Sequence, residues 1–230
     1  MKLTILNPKD PEQDFPSVKK ALSEPEGLLA IGGCLTKKRL LKAYRQGIFP
    51  WYNPGEPILW WSPDPRLVLF PEHLTVSRSL RKTLRKNSFL VTFDQAFDDV
   101  INACAKSRSE YAGTWITADI KQAYNDLHRL GVAHSTEAWQ DGELVGGLYG
   151  VALGQVFFGE SMFHNRTDAS KAAFVTLVGQ LKCWGYQLID CQVHTRHLTS
   201  LGAEEIDRDR FIELLDRYCD LPAHPSAWAQ

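Results

Sequence analysis

The sequence predicts a mixed α/β protein, and three features of its periodicity carry that reading. Apolar residues recur with helical period over 94–105 and again over 117–130. From His134 the period changes to two, marking strands over Ser135–Trp139, Leu144–Ala152 and Gln155–Phe163, turned at Asp141-Gly142 and around Leu153-Gly154. A helix over 168–184 and a strand over Tyr186–His194 then complete a strand–strand–helix–strand succession. At 230 residues the chain can bury a real core, as one large domain or as a small one packed on a larger one.

The remaining elements follow in order. Residues 7–27, rich in Pro, Asp and Glu, read as an irregular lead-in. Thr36 is placed to cap a helix over Lys37–Arg45, with Gly47 suited to the position after its end. Over 49–65, six prolines or glycines exclude a regular helix, and the aromatics Phe49-Pro50-Trp51-Tyr52 and Trp60-Trp61 give this loop more than a plugging role. Leu67-Val68-Leu69-Phe70 is a short strand ended by Pro71, and 77–87 reads as a helix. Thr117 caps the helix over 117–130. Asp168 or Ser170 caps the next, which Gly185 stops. A last helix covers Asp207–Cys219, and the tail LPAHPSAWAQ reads as an irregular extension. There is no internal repeat.

Charge is unevenly spread. Residues 27–93 hold 11 Lys/Arg against Glu56, Asp64 and Glu72, a net of +8, so with a total of −1 the remainder carries −9. Arg78, Arg81, Lys82, Arg85 and Lys86 recur at helical spacing and share one face, with no acid between His73 and Phe93. A solvated face is the plain reading. Like charges at i,i+4 repel one another, however, so an anionic partner explains the stripe more easily. Tryptophans interleaved with cations point to single-stranded nucleic acid. No stretch is long and apolar enough to span a bilayer, and the amino terminus has no signal-peptide core. The five cysteines are widely spaced without a C-x-x-C pair, so the chain reads as cytosolic and reduced.

On the strand ending at His194, period two places Asp190, Gln192 and His194 on one face and Ile189, Cys191 and Val193 on the other. A carboxylate and an amide on an inner strand need partners; an exposed polar face is the alternative. Cys191 as a nucleophile beside His194 is opposed by that alternation. Gly159-Glu160-Ser161-Met162-Phe163 starts like a nucleophile elbow but has Phe in place of the second glycine. His194 and His197 lack the further ligands of a metal site. Gly146-Gly147 and Gly150 read as strand glycines that allow close packing.

Taken together, several segments resemble the leucyl/phenylalanyl-tRNA–protein transferase family. They are Gly27–Gly33, Gly47-Ile48-Phe49-Pro50-Trp51, Trp60-Trp61-Ser62-Pro63-Asp64-Pro65-Arg66, Gly113-Thr114-Trp115-Ile116-Thr117, Gly159–Phe163, Ala169-Ser170-Lys171, Ile189-Asp190-Cys191-Gln192 and Ser200-Leu201-Gly202-Ala203. They occur in family order over about residues 25–205. The resemblance implies a small amino-terminal domain (1–66) joined to an acetyltransferase-like, GNAT-type domain (67–230). It implies transfer of Leu or Phe, with Met a third candidate, from aminoacyl-tRNA to proteins beginning with Arg or Lys, within the bacterial N-end-rule degradation pathway. The implied enzyme is a cytoplasmic monomer that needs no cofactor, metal or membrane, because the tRNA ester is already activated.

By the same resemblance Asp190 and Gln192 stand at the reacting centre, Asp190 holding and polarising the Gln192 amide. The aminoacyl pocket is lined by Leu148, Phe157, Met162 and Leu177, where Leu148 and Leu177 replace a Met and a Phe of better-known members. Trp51 and Trp115 flank the 3′ adenosine and the ester, with Tyr44 nearby as a stacking surface. Glu160 binds the cationic side chain of the acceptor, or else supports the strand. The stripe Arg78–Lys86 holds the acceptor stem through its phosphates. Two rival classes remain: a coenzyme-A-dependent N-acetyltransferase and a non-catalytic RNA-binding module. The first needs a glycine-bearing pyrophosphate loop, and His164–Ser170 contains no glycine. The second gives Asp190 and Gln192 no purpose.

Overall fold

Two sheets organise the chain in the computed structural model, which describes residues 3–86, 88–112 and 114–229. The amino-terminal part contributes β1 (Thr4–Leu6), β2 (Leu28–Gly32), α1 (Lys37–Arg45), β3 (Phe49–Pro50) and β4 (Leu59–Trp61), with strand order β1-β2-β4-β3. The Thr36 hydroxyl accepts the Arg39 N–H at 3.4 Å and so caps α1. The chain leaves α1 through Gly47 at φ +69°, a left-handed turn that favours glycine.

The segment 49–65 is not wholly the aromatic loop expected. β3 and β4 pair at its two ends, and Phe49, Tyr52 and Trp60 are buried. The Trp60 indole N–H donates to the Gly32 carbonyl at 2.8 Å, and Phe15 meets its ring edge-on. Strands of two or three residues are too short to show a period, so this segment could not be read as sheet. Trp51, 46% exposed, is the most open member of the group.

The rest of the chain builds β5 (Arg66–Leu69), α2 (Arg78–Arg85), β6 (Leu90–Phe93), α3 (Phe97–Ala112), α4 (Ala118–Arg129), β7 (Ala133–Gln140), β8 (Glu143–Leu153) and β9 (Val156–His164). It continues with α5 (Ala169–Cys183), β10 (Leu188–Gln192), α6 (Arg196–Thr199), β11 (Glu204–Ile206) and α7 (Arg208–Tyr218). The strands form one seven-stranded sheet in the order β11-β5-β10-β9-β8-β7-β6. Its neighbours run antiparallel except β9 and β10, which are parallel and joined through α5. The mixed α/β class and its strand–strand–helix–strand core are therefore present. Position 87, the expected end of the helix over 77–87, and Gly113 lie outside the described residues.

Strand alternation sorts the core into two layers. Val68, Tyr149, Val151, Phe158 and Leu188 face α3, α4 and the small sheet, forming one apolar cluster with them. Leu67, Leu69, Leu148, Phe157 and Ile189 face α5 and Leu80 of α2. β5 begins at Arg66, where the expected domain boundary falls.

What positions a site is the divergence of the two parallel strands. β9 and β10 pair only through Leu188–Val156, Ile189–Phe157 and Asp190–Phe158. Beyond that point β9 continues beside β8 alone, so a gap opens where Glu160, Ser161 and Met162 face the end of β10. β10 is itself bulged against β5: Asp190 pairs Val68 and Gln192 pairs Leu67, which leaves Cys191 outside the register.

Candidate active site

Asp190 lies on an inner strand with its side chain fully buried, so its charge needs a full partner. Arg66 supplies it in a two-pronged pair: Nε–H to Oδ1 at 2.8 Å and a terminal N–H to Oδ2 at 2.7 Å. The third edge of the guanidinium donates to the Gly47 carbonyl at 3.1 Å, and the group lies between the rings of Phe49 and Phe211, 4.8 and 4.6 Å from their centroids.

Asp190 Oδ1 also accepts the backbone N–H of Gln192 at 2.9 Å. That bond closes a turn over the bulge, and Gln192 takes φ +62°, a left-handed conformation costing a non-glycine residue about 1–3 kcal/mol. The expectation of Asp190 beside the Gln192 amide is therefore corrected. The bulge breaks period two, so Asp190 holds the Gln192 backbone and Glu160 holds its side chain. Gln192 Nε2–H donates to Glu160 Oε1 at 2.7 Å, which turns the amide carbonyl oxygen away from that carboxylate.

Glu160, 8% exposed, is surrounded by donors. The Tyr44 hydroxyl lies 2.8 Å from Oε1 and the Tyr124 hydroxyl 3.0 Å from Oε2, and the two hydroxyls also meet each other, so three contacts share the two phenolic protons. Burial pushes the Glu160 carboxyl up to about 7, helped by the nearby Asp190 charge and opposed by the hydrogen bonds it accepts. Burial likewise raises both tyrosines well above their ordinary range. Tyr44 is thus not the stacking surface expected. It is 0% exposed because it lies on the inward face of α1, and it presents no ring to a base. The Glu160 carboxyl is thus met by Tyr44, Tyr124 and the Gln192 amide.

These groups floor a cleft of about 280 Å³ in the gap between β9 and β10. Trp51, Trp115, Leu148, Phe157 and Met162 line it, as do Glu160, Asp190 and Gln192. Leu177 does not: it is buried deeper along α5, and Phe174, one turn earlier, forms the wall. Cys191 lines the cleft, but burial pushes its thiol well up, away from the thiolate form a nucleophile needs. His194 pairs with Glu205 at 3.0 Å. Among the described residues, no cluster of three or more His, Cys, Asp or Glu is placed to hold a metal ion, and no helix is long and apolar enough to cross a membrane.

The basic excess over 27–93 divides in two. Four of the five cations on α1 have partners: Arg39 is buried and bonds the carbonyls of Asp10 and Gln13, Lys38 pairs Glu12, Lys42 pairs Asp14 and Arg45 pairs Asp220. Arg78, Arg81, Lys82, Arg85 and Lys86 are all exposed along and just past α2, and none is in an ion pair among the described residues.

Residues 68–216 match the model of the leucyl/phenylalanyl-tRNA protein transferase family, and residues 33–64 match that of its amino-terminal domain. The chain belongs to this family. The transferase of Methylococcus capsulatus is 60% identical over 98% of this chain and 96% of its own length. That of Nitrosomonas europaea is 58% identical over 93% of this chain and 91% of its own. That of Chromohalobacter salexigens is 62% identical over 93% and 84%. All three carry the name leucyl/phenylalanyl-tRNA–protein transferase. Solved structures resemble the chain only loosely. The L-PGS of Bacillus licheniformis shares 11% identity at a TM-score of 0.41, covering 70% of this chain and 52% of its own. A GCN5-related N-acetyltransferase of Kribbella flavida shares 13% at 0.35, covering 71% and 58%.

For a member of the transferase family, the parts that sequence reasoning missed are the supports: Arg66, Tyr124 and Phe174. Arg66 left a signal, a lone cation opening the apolar run Leu67-Val68-Leu69 when a buried Asp needed one. Tyr124 had a weaker one, its place on the apolar face of α4 with Ile120 and Leu127. The coenzyme A rival loses ground at the start of α5. Asp168 occupies the N-cap at φ +66° and pairs with Lys171, so a carboxylate stands at the helix start, where bound phosphate would be disfavoured.

Proposed function

We propose that the protein transfers Leu or Phe from aminoacyl-tRNA to the α-amino group of proteins beginning with Arg or Lys. The observation that carries this reading is the Gln192 amide, held by Glu160 at the foot of an apolar cleft with tryptophans in its walls. The aminoacyl side chain enters between Leu148, Phe157, Met162 and Phe174. Trp51 and Trp115 take the 3′ adenosine, since stacking is worth about 1–3 kcal/mol per base without regard to sequence. The stripe on α2 holds the acceptor stem by its phosphates. Such a tRNA-dependent reaction belongs in the cytoplasm, and the chain acts there as a monomer.

The chemistry asked of the site is small. An α-amino group titrates near 7.7–8.0, so a useful fraction is neutral near neutral pH. The Gln192 carbonyl oxygen, left free by the Nε2–Glu160 bond, accepts one N–H of that amine and aims its lone pair at the ester carbonyl. The new C–N bond forms, the ester C–O bond breaks, and the nitrogen's second proton passes to the departing ribose oxygen. Gln192 positions and is not the base; placement supplies most of the rate. Asp190→Ala and Gln192→Ala should each cut transfer about 10²-fold or more with charged-tRNA binding unchanged. Folded variants that keep wild-type turnover would sink the reading.

A further inference from the structure

The residues after α7 read as an irregular extension, and they lie past position 216, where the family match ends. They are nonetheless docked on the large sheet. Gln155 Nε2–H donates to the Pro222 carbonyl at 3.0 Å, the His224 N–H donates to the Trp184 carbonyl at 2.9 Å, and the Trp228 indole N–H donates to the Tyr186 hydroxyl at 2.8 Å. Trp228 sits at φ +59°, a backbone conformation that a bulky residue keeps only where its surroundings hold it.

What Trp228 touches connects this strap to the cleft. Its ring stacks on His134 at 4.0 Å and 12°, and on Phe157 at 5.9 Å and 25°. It also lies tilted against Trp184 at 4.9 Å. Phe157 is a wall of the cleft, and its ring lies over Gly150 so closely that a Cβ there would come within 2.6 Å. The Phe157 ring is thus bounded by a side-chain-free backbone and by Trp228.

We propose that Trp228 is a positioning residue for the aminoacyl slot: by packing on Phe157 it fixes the slot's depth and so its choice between a flat ring and a branched chain. This rests on the reading of that slot given above. An apolar slot discriminates through shape alone, and a wall free to move accepts both shapes alike. Among the described residues, no hydrogen bond or ion pair joins the strap to the α2 stripe or to Gln192, so its effect is confined to selectivity.

Calorimetric binding of non-hydrolysable phenylalanyl- and leucyl-adenosine amides, with adenosine alone as reference, tests this. Trp228→Ala should change the ratio of the two aminoacyl affinities about five- to ten-fold and leave adenosine unaffected, while Trp228→Phe keeps the wild-type ratio. Tyr186→Phe, which removes the anchoring acceptor and keeps both rings, should shift the ratio in the same direction by less. An unchanged ratio in both Trp228→Ala and Tyr186→Phe overturns the proposal, as does equal weakening of all three ligands. If the wild-type protein binds neither amide better than adenosine, the slot reading itself fails and this proposal falls with it.

Discussion

At the scale of single residues, the site is a buried ion pair that fixes a backbone and a buried acid that fixes an amide. Removing one member of the first leaves the other charged and unpartnered, which costs more than the pair is worth. Arg66→Met should therefore destabilise the protein by about 3–5 kcal/mol in urea titrations, and Arg66→Met with Asp190→Leu should recover most of that loss. The acid behaves differently because its folded value lies above the ordinary one. Between about 4.5 and about 7 the folded protein binds a proton at Glu160 that the unfolded chain has released, so stability falls as pH rises through that window. Glu160→Gln is free of this term. The variant should gain on the wild type by up to about 3 kcal/mol between pH 5 and pH 8, measured by denaturant titration. Parallel pH profiles for the two proteins would show Glu160 to be ordinary. Asp190 and Gln192 were readable as a pair because an inner strand cannot leave a carboxylate and an amide unserved. Their mode of contact was not, since a bulge has no sequence period.

At the scale of elements, α1, α4 and α5 announced themselves through caps, stops and an apolar face, and the long strands β7, β8 and β9 through alternation and turn residues. β1, β3, β4 and β11 did not, each being of two or three residues. The α2 stripe is the element whose function rests on charge alone. If four of its cations meet phosphates, binding of charged tRNA should weaken with salt at a log–log slope of about −3 to −4. Arg81→Ala with Lys82→Ala should reduce that slope by about 2 and raise KM without lowering kcat. A slope unchanged in this double variant would return α2 to the status of a solvated helix face.

At the scale of the molecule, the site joins parts that sequence spacing keeps apart. Arg66 and Asp190 are 124 residues apart, and Tyr44 and Glu160 are 116 apart. No local pattern could pair them, which is why the motifs named a family before they explained a mechanism. Tyr44 and Leu177 show the converse. Carried over by position, both were expected in the cleft, and both are covered because inward helix faces bury what they carry. The account as a whole stands on one reaction, so the most direct measurement supplies the purified protein with Phe-tRNA labelled in the amino acid and two peptides identical except for Arg or Asp at the amino terminus. It predicts label on the Arg peptide and none on the Asp peptide. Charged tRNA bound with neither peptide labelled would contradict it.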